Sequence, residues 1–297
     1  MRLYKLKDDD GEIVVVAGLQ HFSLKQIADS GQCFRMTALP VSDGIKESYS
    51  VCWGEHHVRV DATDTPEQFV FHCTEDEFRQ TWYRYFCLDY DWYPLVQSGA
   101  VVNTDTFLTN AIQYGGGIRI LNQGLWETLI CFMISQNNNI KRIAKSVDLL
   151  CQKYGTRKCD RGIEYYTFPS PPALIGADFS NLGLGYREAY FNELFLPNHA
   201  SDFANWFIKV HTADSYETAK KLLMMTKGIG NKVADCICLY GLQHFEAYPI
   251  DTWMKKLIDD IYSGHFDTTP YASCAGYVQQ LQFYYYRSLK KTKQGGC

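Results

Sequence analysis

The chain has 297 residues, of which 46% are hydrophobic and 15% aromatic, a composition typical of one large or two ordinary folded domains and not of a disordered protein. Its formal net charge of −4 at pH 7 argues against a uniformly basic nucleic-acid-binding domain, although it permits a local basic surface. No apolar run approaches the roughly 18 residues of a membrane span, and the N-terminus lacks an apolar signal core, so we expect an intracellular protein without membrane contacts.

The first 73 residues or so are predicted to be rich in β-strands. Short runs of Val, Tyr and Phe are separated by Gly, Pro and Asp, and one short helix is expected from Ser23 to Asp29. Thr74 and Glu77 form a capping-box pattern, which predicts an aromatic helix that continues to Phe86. The predicted strands have the sequences IVVVAG, YSVCWG, HHVRVDA and QFVFHC.

Helical patterns replace strands from about residue 105 onward. Between Ile140 and Tyr154 an apolar residue recurs every three or four positions, and Gly155 ends this predicted helix. We therefore place a domain boundary near residue 105, with a β-rich domain at 1–105 and an α-helical domain at 106–297. The other predicted helices are Phe107–Gln113, Leu125–Gln136, Ser215–Met225 and Tyr277–Leu289.

The segment from Thr226 to Trp253 carries the densest set of signals. Gly228 and Gly230 predict a tight hairpin that opens a helix from Asn231 to Leu242. The start of that helix exposes unpaired backbone N–H groups, which favour an anionic oxygen such as that of a phosphate. Taken alone, a glycine pair of this kind is most often an ordinary turn.

Three side chains that could take part in a chemical reaction follow the hairpin. Lys232, Asp235 and Cys236 fall at positions i, i+3 and i+4, so they are expected on one helix face. Asp251 follows Pro249 and is placed to cap a helix from Thr252 to Tyr262. A lone lysine is most often a solvated side chain and a lone aspartate a structural cap, but their ordered combination is far more specific.

This combination resembles the helix-hairpin-helix DNA glycosylases, and GIGNKVADCICL resembles their 8-oxoguanine DNA glycosylase branch. The resemblance implies an α+β fold with an N-terminal antiparallel sheet before the helical domain. It also implies Lys232 as the nucleophile, Asp251 as the catalytic carboxylate, and Gly228 and Gly230 as the phosphate-binding hairpin. One departure is Lys227, where the family usually has proline before the first glycine.

The resemblance extends to a pocket for a flipped-out base. Gly31 would accept the N7 hydrogen that distinguishes 8-oxoguanine from guanine. Gln279 and Phe283, at i and i+4 on one helix, would read the Watson–Crick edge and stack on the base, with Cys236 on its other side. Each has an ordinary alternative, such as a loop glycine or a core phenylalanine, so the set is meaningful only together.

Two further segments are expected to contact the DNA around the lesion. Asn137 would fill the space beside the estranged base, and Tyr186 would wedge into the stack. Arg142 and Arg187 would donate hydrogen bonds to the orphan cytosine, because the guanidinium fork suits the two acceptors of that base. The asparagines near 137 could otherwise be helix caps, and Trp253 stands where animal members carry a phosphate-binding histidine.

We expect no protein-bound cofactor. Eleven cysteines without CxxC pairs indicate reduced thiols, and only Cys274 and Cys297 follow Cys238, too few for the iron–sulfur cluster of related enzymes. The histidines show no metal-ligand spacing. The resemblance does allow a structural cation in the hairpin when DNA is bound.

The leading interpretation is a monomeric, bifunctional glycosylase and AP lyase that removes 8-oxoguanine, opposite cytosine, from duplex DNA. Three segments rich in Lys and Arg, 137–145, 221–232 and 283–297, contain no acid and could supply a basic face. The alternatives are a helix-hairpin-helix glycosylase for another damaged purine, a non-catalytic DNA-binding hairpin module, and a structural α+β protein. The compartment would be the cytoplasm or nucleoid in a bacterium and the nucleus in a eukaryote.

Overall fold

A six-stranded antiparallel sheet forms the N-terminal part of the computed structural model, which describes residues 2–7, 13–93 and 105–294. The strands lie in the order β1-β2-β6-β5-β4-β3, and every neighbouring pair is antiparallel, as predicted. Two of these strands, β1 and β3, escaped the sequence-based prediction. The bounds are β1 Arg2–Lys7, β2 Ile13–Gly18, β3 Met36–Ala38, β4 Ile45–Trp53, β5 His56–Thr63 and β6 Gln68–Phe71.

Two helical segments cover one face of the sheet. Helix α1 (Leu24–Asp29) begins at Ser23, whose hydroxyl accepts a hydrogen bond from the backbone N–H of Gln26 at 3.3 Å. Thr74 caps the second segment in the same way, accepting from the N–H of Glu77 at 3.2 Å. This second segment, called α2, contains a π-helical stretch between two α-helical parts: Glu75–Glu77, Phe78–Trp82 and Tyr83–Tyr85.

The remainder of the described chain is mostly helical. Its helices are α3 Thr106–Gly115, α4 Leu125–Ser135, α5 Ile140–Tyr154, α6 Pro171–Leu174, α7 Glu188–Leu194, α8 Ala200–His211, α9 Tyr216–Met224, α10 Asn231–Leu242, α11 Thr252–Tyr262 and α12 Ala275–Gln294. A small hairpin of β7 (Arg157–Asp160) and β8 (Ile163–Tyr166) interrupts them. Helices α6, α7 and α8 and this hairpin were not predicted. The predicted boundary at 105 adjoins residues 94–104, which lie outside the described residues.

The packing of α4 against α10 positions the candidate site. Near the start of α4, Gly241 lies so close that an added Cβ would be 3.1 Å from the Cβ of Thr128 and 3.2 Å from the Cα of Leu125. Near the end of α4, Phe132 and Ser135 approach Lys232. The two helices therefore run in opposite directions, and the close contact at Gly241 brings the start of α10 beside the end of α4.

The loop after α1 is anchored on the helical part. The side chain of Gln32 donates to the carbonyl of Arg119 at 2.9 Å and accepts from the N–H of Leu121 at 2.8 Å. Arg35 forms a buried ion pair with Glu127 of α4 at 3.2 Å. These contacts place the neighbouring Gly31 beside α12, although the two are far apart in sequence. Among the described helices, none is both long and apolar enough to span a bilayer.

Candidate active site

A cavity of about 920 Å³ lies where the ends of several helices meet. It is bordered by the end of α4, the start of α5, the starts of α10 and α11, and one face of α12. The predicted site residues that line it are Gly31, Asn137, Arg142, Tyr186, Lys232, Asp251 and Phe283. The others, Cys236, Gln279, Arg187, Gly228 and Gly230, lie behind or beside this lining.

Lys232 lies in the first turn of α10 with its ammonium directed at the end of α4. Its Nζ is 5.1 Å from the centroid of the Phe132 ring and 3.4 Å from the Oγ of Ser135. The side chain is partly buried, and the ring of Phe132 in turn stacks on that of Tyr240, with centroids 5.4 Å apart. The amine is therefore held against an aromatic surface at the cavity wall rather than extended into solvent.

Asp251 caps α11 as predicted. Its Oδ1 accepts hydrogen bonds from the backbone N–H groups of Trp253 at 2.9 Å and Met254 at 2.8 Å. Among the described residues no side chain forms an ion pair with this carboxylate, and Oδ2 has no hydrogen-bond donor. The helix N-terminus favours a negative charge at this place. The carboxylate is thus fixed by one oxygen and presents the other to the cavity that Lys232 lines.

Cys236 and Asp235, one turn after Lys232 on α10, have different surroundings. Burial raises the pKa of the Cys236 thiol to about 11, an effect that nearby Lys232 opposes and Asp251 reinforces. Asp235 instead pairs with Lys220 of α9 at 2.7 Å and accepts from the hydroxyl of Tyr216 at 2.6 Å. Asp235 thus contacts α9, whereas Cys236 lies about 100° further around the helix axis.

The predicted base pocket brings Gly31 against α12. Gly31 has a φ of +81°, and a Cβ on it would lie 3.3 Å from Cδ1 of Ile140 and 3.5 Å from Cε1 of Phe283. A side chain at this position would therefore fill the space beside the phenyl ring. Gln279, one turn before Phe283, is only 4% exposed, and its Oε1 lacks a hydrogen-bond partner within the described part of the chain. An unsatisfied buried amide oxygen costs about 1–3 kcal/mol, so it marks Gln279 as a candidate ligand contact.

The residues expected to contact the opposite strand cluster at the rim of the cavity. Asn137 is exposed with a φ of +44°, and the Tyr186 side chain is 52% exposed at the tip of its loop. Arg187 is only 4% exposed, and it donates to the carbonyls of Leu184 at 2.9 Å, Gln136 at 2.8 Å and Asn137 at 3.1 Å. Arg142 is exposed. These bonds, with a second one to the carbonyl of Gln136, leave at most one guanidinium N–H free, so a two-point contact between Arg187 and an orphan base would require at least one of them to be released, and this role stays a prediction.

The glycine hairpin is supported by α7. Gly228 has a φ of +88°, and a Cβ on it would lie 2.6 Å from Cδ2 of Tyr190, whereas no atom lies within 4 Å of a Cβ on Gly230. Lys227, which replaces the usual proline, pairs with Glu193 of α7 at 2.7 Å. The hairpin is therefore held by packing and an ion pair, although a surface pair of this kind contributes little free energy.

The charges around the cavity are unequal. Its only acidic residue within the described chain is Asp251, whereas the basic residues that line it are Arg142, Lys232, Lys255, Arg287, Lys290 and Lys291. Sequence reasoning assigned no role to Lys255 or Phe132, and it counted Arg287 only within the basic segment 283–297. The spacing of Arg287, four residues after Phe283, was the available signal. Across the described residues no three His, Cys, Asp or Glu side chains gather as metal ligands, and the absence of a cofactor remains a prediction.

A sheet followed by a helical domain, with the hairpin, lysine and capping aspartate around one cavity, is typical of a helix-hairpin-helix DNA glycosylase. Comparison with known proteins narrows this class. Residues 14–129 match the family described as 8-oxoguanine DNA glycosylase, N-terminal domain. The N-glycosylase/DNA lyase of Saccharomyces cerevisiae is 30% identical over 258 residues, covering 79% of this chain and 66% of the yeast protein, just under two thirds of its length.

Two solved structures resemble the whole chain. The 8-oxoguanine glycosylase/lyase of Clostridium acetobutylicum, in complex with duplex DNA containing cytosine opposite 8-oxoG, is 28% identical with a TM-score of 0.82 and covers 98% of this chain and 99% of its own. MBOgg1, in complex with a low-affinity DNA ligand, is 30% identical with a TM-score of 0.82 and covers 98% and 100%. The chain belongs to the 8-oxoguanine DNA glycosylase family.

Proposed function

We propose that this protein removes 8-oxoguanine from duplex DNA and then cleaves the DNA strand at the resulting site. The observation that carries the proposal is the cavity in which Lys232 and Asp251, 19 residues apart in sequence, face the same space. A structural cap and a solvated lysine would have no reason to meet there. The described charged residues of its lining are basic except for Asp251, which supports the binding of a polyanion by a protein of net charge −4.

The first chemical step is base release. The damaged nucleotide must leave the duplex, because its C1′ is inaccessible within the stack. The amine nitrogen of Lys232 forms a bond to C1′ while the bond from C1′ to N9 of the base breaks; the base leaves with the bonding electrons and takes up the proton that the amine nitrogen loses. Positive charge develops on the sugar as the bond breaks. The free oxygen of Asp251 stabilises that charge, since it is held in place before the reaction begins.

The second step follows from the covalent bond to lysine. The sugar ring opens to a Schiff base between Nζ of Lys232 and C1′, which acidifies the hydrogen on C2′. Water takes up that proton, a C2′=C3′ double bond forms, and the bond from C3′ to oxygen breaks as the 3′ phosphate leaves, so this β-elimination cleaves the strand. Hydrolysis of the Schiff base then frees Lys232. The enzyme is thus a glycosylase and an AP lyase that uses one nucleophile for both reactions.

Base recognition is assigned to the residues that adjoin Phe283. The ring would stack on the base, the carbonyl of Gly31 would accept the hydrogen on N7, and Gln279 would read the Watson–Crick edge with its unpaired oxygen and its amide N–H groups. Cys236 would lie on the other side of the base. Its thiol is neutral at pH 7, because burial raises its pKa to about 11, so it contributes shape and polarisability rather than charge.

The remaining contacts concern the DNA around the flipped nucleotide. Tyr186 and Asn137 would occupy the space left in the stack, and Arg142 and Arg187 would bind the orphan cytosine. Gly228 and Gly230 would bring backbone N–H groups to a phosphate. A cation at the hairpin would be bound by main-chain oxygens and the Thr226 hydroxyl, because residues 226–230 carry no carboxylate, and no step of the mechanism depends on it. The protein is expected to act as a monomer.

Strand cleavage of matched duplexes tests this proposal. We expect cleavage of a duplex with one 8-oxoguanine opposite cytosine, little cleavage of the same duplex with guanine, and slower cleavage when the opposite base is A, G or T. Lys232→Gln should bind the lesion duplex and leave it intact. An inert wild-type protein that still binds DNA would contradict the proposal and favour another damaged purine or a non-catalytic hairpin module.

A further inference from the structure

Arg287 is a partly buried cation at the cavity for which the mechanism above has no use. It lies on α12 one turn after Phe283, with its Cζ 5.0 Å from the centroid of the phenyl ring. Its Nη1 is 3.6 Å from the position that a Cβ on Gly31 would occupy. The guanidinium therefore lies between two residues of the proposed base pocket rather than on the outer surface.

No described residue neutralises this guanidinium. Neither a hydrogen bond nor an ion pair links Arg287 to any residue within 2–7, 13–93 or 105–294, although other arginines at domain contacts, such as Arg35, are paired. Burial lowers the pKa of Arg287, with Asp251 and Asp29 acting in the opposite direction. A partly desolvated guanidinium with five N–H donors and no protein acceptor is suited to an anionic ligand.

The order of residues along α12 indicates which part of a nucleotide reaches Arg287. Gln279 is buried, Phe283 and Arg287 are partly buried and line the cavity, and Lys290 and Lys291 lie at its rim. With a rise of 1.5 Å per residue, Arg287 lies about 6 Å beyond Phe283 toward the mouth. A flipped nucleotide with its base against Phe283 would extend its sugar and phosphate in the same direction.

The other cations on this side are less available. The ammonium of Lys290 is held by Asp260 at 3.0 Å, and that of Lys232 lies against the ring of Phe132 on α4. Among the basic residues of α12, Arg287 is also the one whose planar fork can bind two oxygens of one phosphate at once. These differences favour Arg287 over its neighbours for a direct contact.

We propose that Arg287 binds a phosphate that flanks the flipped nucleotide and so holds the lesion in the cavity with its base on Phe283. This role rests on the proposed function, because it presupposes a nucleotide turned into the cavity. Arg287 acts on the position of the nucleotide and takes no part in bond breaking. The alternatives are that it only covers the phenyl ring or that it contacts the base.

A double-mutant cycle, in which substitutions in the protein are combined with changes to single phosphates of the DNA, tests the contact between Arg287 and a phosphate directly. The probe is a duplex with a tetrahydrofuran abasic analogue opposite cytosine, which offers the phosphates without a base and cannot be cleaved by attack on C1′. Single methylphosphonates replace, in turn, the phosphates on either side of the analogue. Binding is measured for the wild type, Arg287→Gln, Arg287→Lys and the control Lys256→Gln. Lys256 is exposed on α11 and outside the cavity lining, so its loss removes one charge without the contact.

We expect Arg287→Gln to bind the all-phosphate probe roughly ten- to a hundredfold more weakly than the wild type, as for loss of a charged hydrogen bond. One methylphosphonate should weaken the wild type by a similar factor and weaken Arg287→Gln by less than about threefold, because the two changes remove the same contact. The affinity of Arg287→Lys for the probe should lie between those of the wild type and Arg287→Gln. The control Lys256→Gln should respond to each methylphosphonate as the wild type does. In a plot of the logarithm of the binding constant against the logarithm of the salt concentration, the slope for Arg287→Gln should be smaller in magnitude by about one.

Three results would overturn the proposal. In the first, Arg287→Gln binds the probe as tightly as the wild type does. In the second, the loss of affinity caused by Arg287→Gln is the same with every methylphosphonate as with the all-phosphate probe. In the third, Arg287→Gln weakens binding of the 8-oxoguanine duplex but not of the duplex with the abasic analogue. The last of these would assign Arg287 to the base. Thermal unfolding of each variant separates a folding defect from a binding defect. Failure of the proposed function would be visible beforehand, as wild-type protein that neither prefers nor cleaves lesion-containing DNA.

Discussion

The cavity of about 920 Å³ that holds Lys232 can be compared with a second one of about 750 Å³ on the side of the sheet. The lining of the second cavity includes aromatic residues such as Trp53 and Trp126. Its buried carboxylate, Glu127, is paired with Arg35 at 3.2 Å and accepts from the N–H of Gly54 at 2.8 Å. Its lysine, Lys158, is paired with Glu55 at 3.2 Å.

The difference between the two cavities lies in whether their charged groups are already bound to protein. In the second cavity both the carboxylate of Glu127 and the ammonium of Lys158 already have protein partners. In the first, one oxygen of Asp251 and the guanidinium of Arg287 lack a partner among the described residues. Volume alone does not distinguish the two. Polar groups left without protein partners identify the cavity that is built for a ligand.

The largest expected effect is a loss of folding stability when the ion pair of the second cavity is broken. Arg35→Gln leaves the Glu127 carboxylate buried without its cation, which should lower the free energy of unfolding at pH 7 by about 3–5 kcal/mol. Burial already raises the pKa of Glu127, and Arg35 opposes that rise. A carboxyl whose folded-state pKa is raised supports stability at pH values below its unfolded pKa and loses that support as pH rises.

Chemical denaturation of Arg35→Gln at pH 4 and pH 7 measures this effect. The loss of stability should be clearly smaller at pH 4, where Glu127 is protonated, and the added substitution Glu127→Gln should restore part of it at pH 7. An equal loss at both pH values would show that Arg35 acts through packing rather than through its charge.

Asp251→Asn should affect the chemistry and spare the fold. Asparagine caps a helix as well as aspartate does, so the melting temperature should hardly change. The rate of base release in single-turnover assays should fall by about 10²–10³-fold, because the amide cannot stabilise positive charge on the sugar. Affinity for lesion DNA should stay within about threefold. A loss of affinity as large as the loss of rate would identify Asp251 as a cap and nothing more.

A smaller effect is expected at the hairpin, where two glycines serve as each other's control. Gly228→Ala combines a left-handed backbone with a contact of 2.6 Å to the ring of Tyr190, and it should cost about 1–3 kcal/mol of stability and weaken DNA binding. Gly230→Ala adds a methyl group in open space at a φ of −94°, and it should cost less than about 1 kcal/mol. Equal melting temperatures of the two variants would show that Tyr190 does not fix the hairpin.

Local signals in the sequence were sufficient for the elements that present Lys232 and Asp251. Gly230, Pro249 and Asp251 mark helix boundaries through their own backbone and capping chemistry, and helices α10 and α11 have the predicted bounds. Helix α8 was missed because His199, its N-cap residue, makes no side-chain capping bond. The hairpin of β7 and β8 was missed because its strands are short and mostly polar, although Gly162, with a φ of +77°, was a turn signal.

The assembly of the site depends on contacts that no local pattern contains. Gly31 meets Phe283 because Gln32 and Arg35 anchor their loop on the helical part. The aromatic surface beneath Lys232 arises where α10 packs antiparallel to α4. The resemblance to a family supplied the residues of the site in advance, whereas the unpaired state of Arg287 and the bonds that hold Arg187 became visible only in three dimensions.

The central claim is that Lys232 is the nucleophile, and covalent trapping tests it most directly. Wild-type protein is mixed with a duplex that contains 8-oxoguanine opposite cytosine in the presence of borohydride, which reduces a Schiff base to a stable amine. The adduct is then digested, and the modified residue is identified by mass spectrometry. We predict one adduct at Lys232 and none with Lys232→Gln. Base release by the wild type without an adduct, or an adduct at another lysine, would contradict the account.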